Sequence, residues 1–200
     1  MTDAPSGLTL RRLPDVPGPE HAQARAFCLG VIKEFYGFDY RADWHGDLDS
    51  LLEPAHANQF SALNRGAFWT LNSSDGAIAA ATAIKRLGWQ PKIAAAFAER
   101  YRDPEKTATL VRAYVSKERR GRGIGRWMNA LCEREARSFG YTDLYLHANS
   151  GTPATIGFWK ASGFAEIGDF GFSTHFDKSL AGDQPDAASL PPAAQKRISL

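Results

Sequence analysis

Cysteine is scarce in this sequence, and its scarcity excludes two kinds of site. The 200 residues include two cysteines, Cys28 and Cys132, which lie in two separate apolar patterns of helical spacing. Neither a Cys-x-x-Cys pair nor a Cys/His cluster is present, so neither a disulfide framework nor a structural zinc site is expected. We therefore expect a reducing compartment and no bound metal.

Long apolar runs and targeting signals are missing as well. No run approaches the roughly 18 apolar residues of a membrane-spanning helix. The N-terminal letters MTDAPSG have neither the basic start nor the apolar stretch of a signal peptide. We expect a cytoplasmic protein without a membrane partner.

The chain also lacks an excess of charge of either sign. Its 24 Lys and Arg residues against 22 Asp and Glu residues give a net charge of +2. A chain so nearly neutral is not an electrostatic nucleic-acid binder as a whole, and no nucleic-acid partner is expected. The charge is instead segregated, because acidic residues crowd into segment 39–53 and arginines into segment 119–126.

What is present is an ordered series of strand and helix patterns that fits one domain over residues 8–178. Predicted strands lie near residues 8–13, 67–71, 78–87, 107–116, 142–148 and 164–176. Predicted helices cover residues 20–37, 124–138 and 153–162, and a short helix through Tyr101 precedes Pro104. In the helix over 124–138, Glu133 is expected to face outward. Residues 179–200 are rich in Pro, Ala and Ser with little to bury, which predicts a flexible tail.

The letters RGRGIG at residues 120–125 connect a strong strand pattern to a strong helix pattern. A helix leaves its first N–H groups unpaired and carries partial positive charge at that end, so it attracts an anion. Glycines in the preceding loop allow the backbone to close around that anion. The pattern predicts a phosphate group gripped by the main chain, with arginine side chains adding charge.

Other interpretations of this loop differ in spacing or context. A Walker A loop requires Lys-Ser/Thr after its last glycine, whereas Arg126 and Trp127 follow Gly125. A dinucleotide-binding loop requires G-x-G-x-x-G, whereas these glycines fall at every second position. An RNA-binding RGG segment stays open as an alternative, although such segments lie in disordered stretches rather than between a strand and a helix.

The spacing Arg-x-x-Gly-x-Gly at residues 120–125 resembles the pyrophosphate loop of the GNAT superfamily of acyl-CoA N-acyltransferases. The resemblance covers about residues 8–176 in the same order of elements and closes on a short helix with FWKASGF at residues 158–164. It implies an α+β fold with a mixed, mostly antiparallel central sheet, splayed central strands and helices on both faces. It also implies acetyl-CoA as the acyl donor.

The resemblance implies a donor site as well. Main-chain groups of Tyr114 and Val115 would bond to the pantetheine arm, while Asn149, Trp159 and Lys160 would flank that arm and the adenosine end. Main-chain amides of the loop would hold the pyrophosphate; they belong to Arg120, Gly121, Arg122, Gly123, Ile124, Gly125 and Arg126.

Acylation of an amine needs a base, because a lysine-like amine of pKa about 10.4 is almost wholly protonated at neutral pH. In protein-lysine acetylators a carboxylate often stands on the strand before the loop, and here Thr107 or Thr109 matches it; neither is a base. His147 is our first candidate for the base, and His45 is an alternative. In many relatives a tyrosine protonates the leaving thiolate, and here Trp159 matches it, although an indole cannot deliver a proton.

Two functions therefore stay open. The first is direct transfer of an acetyl group to a primary amine in a ternary complex, because neither cysteine stands where a nucleophile is expected. The acceptor would be a small molecule or a peptide, and the acidic segment 39–53, which in the superfamily lines the acceptor side, favours a cationic amine. The second is a non-catalytic acyl-CoA-binding regulatory module. Residues 88–106 would cover the acceptor cleft or meet a second subunit in a homodimer, and the sequence favours neither.

Overall fold

A computed structural model describes residues 4–170 and 172–181 of the chain. The strands in these residues are β1 (Leu8–Arg12), β2 (Ala67–Ser73), β3 (Ile78–Arg86), β4 (Thr107–Val115), β5 (Asp143–Asn149), β6 (Ala165–Phe170) and β7 (Ser173–Ser179). The α-helices there are α1 (Pro19–Tyr36), α2 (Ala42–Asp49), α3 (Pro91–Ala96), α4 (Ile124–Ser138) and α5 (Pro153–Ala161).

The described strands form a single mixed sheet in the order β1-β2-β3-β4-β5-β7-β6. Neighbouring strands are antiparallel except β4 and β5, which are parallel. A parallel pair needs a long crossover, and α4 provides it. The mixed, mostly antiparallel sheet expected from the sequence is confirmed.

Helices cover both faces of this sheet. Trp69 and Leu71 of β2 share one apolar core with α4 and α5, which cover what we call the α4 face. Phe68, which directly precedes Trp69, shares a second core with α1 and α2 on the opposite side, the α1 face. Because successive side chains of a strand point to opposite faces, the sheet is the middle layer of three.

The central strands β4 and β5 separate soon after they begin. Their hydrogen-bonded register covers the pairs Thr107–Asp143, Ala108–Leu144 and Thr109–Tyr145. Beyond that point β4 stays with β3 as far as Val115, and β5 stays with β7 as far as Asn149. The splayed strands expected from the sequence are confirmed, and they leave a gap that passes through the sheet.

A bulge in β4 lies beside this gap. Ala81 and Ala83 of β3 are two residues apart, whereas their partners Tyr114 and Val111 are three apart. Within the bulge, Arg112 has a φ of 56°, a conformation that costs a non-glycine residue about 1–2 kcal/mol. Since a bulge re-aims the side chains of its strand, the strained backbone turns Arg112 toward α2.

Two local expectations were wrong. The helix α3 ends at Ala96, so Tyr101 lies outside it, and its hydroxyl instead donates a hydrogen bond to Asp177 of β7. Glu133 is 7% exposed rather than outward-facing. Its burial is compensated by the Nζ of Lys178, which lies 2.8 Å from Glu133 Oε1.

The fold extends slightly beyond the predicted domain boundary. Ser179 belongs to β7, and Leu180 is buried with its N–H bonded to the carbonyl of Thr142. Residues 182–200 of the predicted tail lie outside the described residues.

Candidate active site

A cleft of about 760 Å³ occupies the gap between β4 and β5. Thr155 and Trp159 of α5 line it on the α4 face, and Phe38 and Trp44 line it on the α1 face. We call it the through-sheet cleft, because it connects the two faces of the sheet.

A second cavity, of about 390 Å³, lies on the α1 face between α2, β3 and β4. We call it the α2 pocket. It shares His147 of β5 and Leu110, Val111 and Arg112 of β4 with the through-sheet cleft. A molecule in the cleft and a molecule in the pocket would therefore meet at these residues.

The RGRGIG loop has the backbone geometry for which glycine is suited. Gly121 and Gly123 have φ values of 73° and 78°, and Gly123 is the N-cap of α4. The first helical bond runs from the N–H of Trp127 to the carbonyl of Gly123, so the N–H groups of residues 124–126 are left for a ligand. A Cβ added at either glycine would meet nothing within 4 Å. The glycines therefore serve the backbone conformation rather than the packing of the loop.

The arginine side chains of the loop have different roles. The Nε of Arg120 donates to the carbonyl of Val115 at 3.0 Å, and its Nη2 lies 3.7 Å from Glu34 of α1. Arg120 thus braces the loop against the end of β4. Arg122 and Arg126 are exposed and can add positive charge beside the free amides.

The other residues expected at the donor site are only partly brought together. Tyr114, Val115, Asn149 and Trp159 line the through-sheet cleft. Lys160 does not, because its exposed Nζ lies 2.8 Å from Glu166 on the outside of the fold. The splay leaves the edge of β4 that faces β5 without a strand partner along Tyr114 and Val115, so this edge can bond to a ligand.

Trp159 is mainly a core residue. It is 5% exposed and packs edge-on against Phe158 and Phe164. Its contribution to the cleft is an aromatic wall.

His147 lies where the two cavities meet. Its Nδ1 is 3.4 Å from the hydroxyl of Tyr145, which also lies 2.6 Å from the Nδ1 of His175. Although the ring is open to the cleft, the surrounding protein, then the positive charge of His175 and Arg112, lower the pKa of His147 to about 4. At neutral pH the imidazole is uncharged, which is the state that accepts a proton.

The other candidates for the base are not placed for that role. His45 borders the cleft, but its ring is 3% exposed, its Nδ1 accepts the N–H of Arg41 at 2.9 Å, and it stacks on Phe38. Thr107 and Thr109 are buried in the part of β4 that is still paired with β5.

A buried charge cluster in the α2 pocket was missed by the sequence analysis. Arg112 binds Asp47 through Nε to Oδ2 at 3.0 Å and through Nη2 to Oδ1, and the Nζ of Lys85 is 3.7 Å from Oδ2. Burial disfavours the charged carboxylate, but Arg112 and Lys85 outweigh it and lower the pKa of Asp47. The sequence did contain one signal for Lys85. It follows Ala81 and Ala83 at alternate positions of β3, so its side chain is expected on the same buried face of the strand. The partners on α2 and β4 had no such signal.

The acidic segment 39–53 offers less negative charge than its sequence suggests. Asp49 lies 2.7 Å from Arg25, and Asp39 lies 2.8 Å from Lys33. With Asp47 held by Arg112, these three carboxylates balance cations of the protein itself. Asp43 and Glu53 form no ion pair with the described residues, and Asp43 borders both cavities.

Residues 88–106 pack against the central sheet of the same chain. Trp89 and Gln90 line the α2 pocket, and Arg100 and Tyr101 both bind Asp177. The start of the segment, at Trp89 and Gln90, therefore forms part of the wall of the α2 pocket.

Residues 4–170 and 172–181 contain neither a candidate metal-binding group nor a candidate membrane-spanning helix. Nowhere in these ranges do three or more His, Cys, Asp or Glu side chains form a group that could hold a metal ion. The helices described there are all too short or too polar to cross a membrane.

A splayed parallel strand pair beside a glycine-rich helix N-terminus is the arrangement expected for an N-acyltransferase of the GNAT type. Residues 31–164 match the model of the "Acetyltransferase (GNAT) family". The chain therefore belongs to this family.

Solved structures share this fold at low sequence identity. An acetyltransferase of the GNAT family from Staphylococcus aureus Mu50 is 15% identical with a TM-score of 0.64, over 86% of this chain and 99% of that chain. An acetyltransferase from Streptococcus agalactiae 2603 is 16% identical with a TM-score of 0.64, over 87% and 99%. Spermidine N-acetyltransferase from Vibrio cholerae, in complex with CoA and spermine, is 14% identical with a TM-score of 0.59, over 88% and 97%. No curated protein matches the chain in sequence.

Proposed function

We propose that this acetyltransferase moves the acetyl group of acetyl-CoA to a primary amine by direct attack in a ternary complex. The observation that supports the proposal most is the through-sheet cleft. It is bordered by Arg120, which lies in the loop before the N-terminus of α4, and by His147, an uncharged histidine that also borders a second pocket.

The loop and the edge of β4 fit the chemistry of the donor. The free amides of residues 124–126, with Arg122 beside them, suit a pyrophosphate. The pantetheine arm is an extended chain with amide groups, and it would bond to the free edge of β4 at Tyr114 and Val115 as an added strand does.

The transfer step uses His147 as the base. The acceptor reacts as the neutral amine: its nitrogen bonds to the thioester carbon, the neutral imidazole accepts the proton that this nitrogen releases as the bond forms, and the carbon–sulfur bond breaks. A main-chain N–H of β4 near Val115 stabilises the oxyanion. Because Trp159 cannot donate a proton, the leaving thiolate takes its proton from water in the open cleft.

A covalent acyl-cysteine is disfavoured by both thiols. Cys28 and Cys132 are fully buried, and burial raises the pKa of each to about 12. A thiol with such a pKa forms almost no thiolate at neutral pH, and the thiolate is the nucleophile.

The test combines binding and turnover on the purified protein. Calorimetry with acetyl-CoA measures binding, and thiol release is followed with polyamines, aminoglycosides, amino acids and peptides as acceptors. We expect release that requires an acceptor and intersecting initial-rate lines when both substrates are varied. Binding without turnover by any acceptor would favour the non-catalytic module, and parallel lines would contradict the ternary complex.

A further inference from the structure

The buried charges of the α2 pocket are two cations and one carboxylate, whereas Asp43, the other carboxylate of its lining, is exposed to solvent. Asp47 is the one carboxylate there that faces both Arg112 and Lys85 among the described residues. All three side chains are largely buried, with exposed fractions of 8% for Asp47, 13% for Arg112 and 4% for Lys85. A buried charge is costly unless it is paired, so the second cation lacks a full counter-charge.

Lys85 is the cation that is left over. Asp47 gives its two oxygens to the guanidinium of Arg112, and the Nζ of Lys85, at 3.7 Å, is too far from Asp47 for a hydrogen bond. The Nζ donates one hydrogen bond, to the Oε1 of Gln59 at 2.8 Å. An ammonium group has three donors, so Lys85 can still bind an anion.

The position of Lys85 makes that anion part of the acceptor. Lys85 and His147 line the same pocket, so one small molecule can reach both. At about 30 Å³ per water-sized group, a volume of 390 Å³ holds roughly a dozen non-hydrogen atoms. Trp44, Trp89 and Tyr114 add aromatic surface to the walls.

We infer that the acceptor carries an anionic group next to its amine, as an amino acid does, and that Lys85 binds this group at the base of the α2 pocket. The inference rests on the proposed function, because it assigns the acceptor of the same reaction. It differs from the cationic acceptor that the acidic segment suggests, because the carboxylates of Asp39, Asp47 and Asp49 are already paired within the protein. Asp43 also borders the pocket, but its carboxylate is exposed to solvent, whereas Lys85 is buried.

The test compares amines that differ by one carboxylate. Phenylalanine with 2-phenylethylamine and tryptophan with tryptamine are suitable pairs for an aromatic pocket, and spermidine represents a polycation. We expect kcat/KM to be about tenfold or more higher for the amino acid of each pair, the effect of one hydrogen bond to a charged group. Equal or better use of the decarboxylated amine, or a clear preference for spermidine, would overturn the inference.

Lys85→Met tests the residue itself. We expect it to lower the ratio of kcat/KM between amino acid and amine to near one, mainly by raising the KM of the amino acid. The ratio is unaffected by the fraction of folded enzyme, because both substrates are measured on the same sample. Lys92→Met, which removes an exposed lysine of α3, is the matched control and should keep the wild-type ratio. A Lys85→Met enzyme that keeps the wild-type ratio would contradict the role of Lys85.

A measurement on the wild-type protein covers the case in which Lys85→Met does not fold. 3-Phenylpropanoate has the carboxylate and the ring but no amine, and it should compete with the acceptor and not with acetyl-CoA. No inhibition by this compound would count against the anion site. The outcome also separates the two proposals: turnover of amines without any carboxylate preference refutes only the acceptor class, whereas absence of all turnover refutes the transferase.

Discussion

The proposed binding of the donor pyrophosphate by main-chain amides can be tested with two glycines at opposite ends of α4. Gly123 precedes the first residue of α4, and Gly140 follows its C-terminal end. Both have a φ of 78°, and a Cβ added at either would meet nothing within 4 Å. Gly123→Ala and Gly140→Ala therefore impose the same backbone strain, about 1–2 kcal/mol of unfolding free energy, at opposite ends of the helix.

Only the N-terminal variant should affect the donor. If the strain at Gly123 displaces the amides of residues 124–126 enough to lose one hydrogen bond to a charged phosphate, about 1.5–3 kcal/mol of binding free energy disappears. That corresponds to roughly a 10- to 150-fold rise in the Kd for CoA. For Gly140→Ala we expect a Kd within about twofold of the wild type, because that end of α4 presents carbonyls and lies away from the loop.

Calorimetric titration with CoA gives the two Kd values, and urea unfolding gives the two stabilities. The reasoning is refuted if both variants lose stability equally but neither changes the Kd. It is refuted as well if both weaken CoA to the same extent, because the effect would then come from stability and not from the amides.

Three further predictions concern side chains. His147→Gln should lower kcat by about 10²–10⁴-fold with little change in the Kd for CoA. Apart from the titration of the acceptor amine, which both enzymes share, protonation of His147 should lower the wild-type rate only as the pH approaches its lowered pKa of about 4; an inflection near pH 6.5 that the variant removes would contradict this. Arg112→Met leaves Asp47 buried without its main partner and should lower the free energy of unfolding in urea by about 3–5 kcal/mol. Lys160→Met breaks an exposed ion pair and should lower it by less than about 1 kcal/mol. Similar losses of unfolding free energy in the two variants would show that burial does not determine the strength of these pairs. Arg122→Ala should weaken CoA binding less than Gly123→Ala, and its effect on the Kd should become smaller with added salt. A rise in the Kd as large as that of Gly123→Ala would indicate that side-chain charge, rather than the main-chain amides, binds the pyrophosphate.

Local patterns carried most of the information on the elements of the fold. The helix predicted over 124–138 is the helix that forms, because its apolar spacing, its glycine N-cap and Gly140 all lie within one stretch of chain. The short helix before Pro104 was predicted too long, because Phe97 and Tyr101 keep a helical spacing while Tyr101 is drawn to Asp177 in a distant strand. A contact across the sheet outweighed a weak local preference there.

The candidate site divides in the same way. The proposed donor loop could be predicted from the sequence because its expected ligands are main-chain amides, whose placement depends on the order of glycines and on the start of one helix. The exposure of Arg122 and the inward turn of Arg120 could not be recognised, since they depend on Val115 and Glu34.

The sequence by itself determined the family and the mixed sheet, and it predicts where a diphosphate would be held, because each of these depends on consecutive residues or on the order of elements. Only the tertiary structure decided the charge of the α2 pocket. Asp47, Lys85 and Arg112 lie on three different elements and meet through the bulge of β4 and the packing of α2 on the sheet. Electrostatic energies depend on distances of a few ångströms between such side chains, and sequence separation does not report those distances.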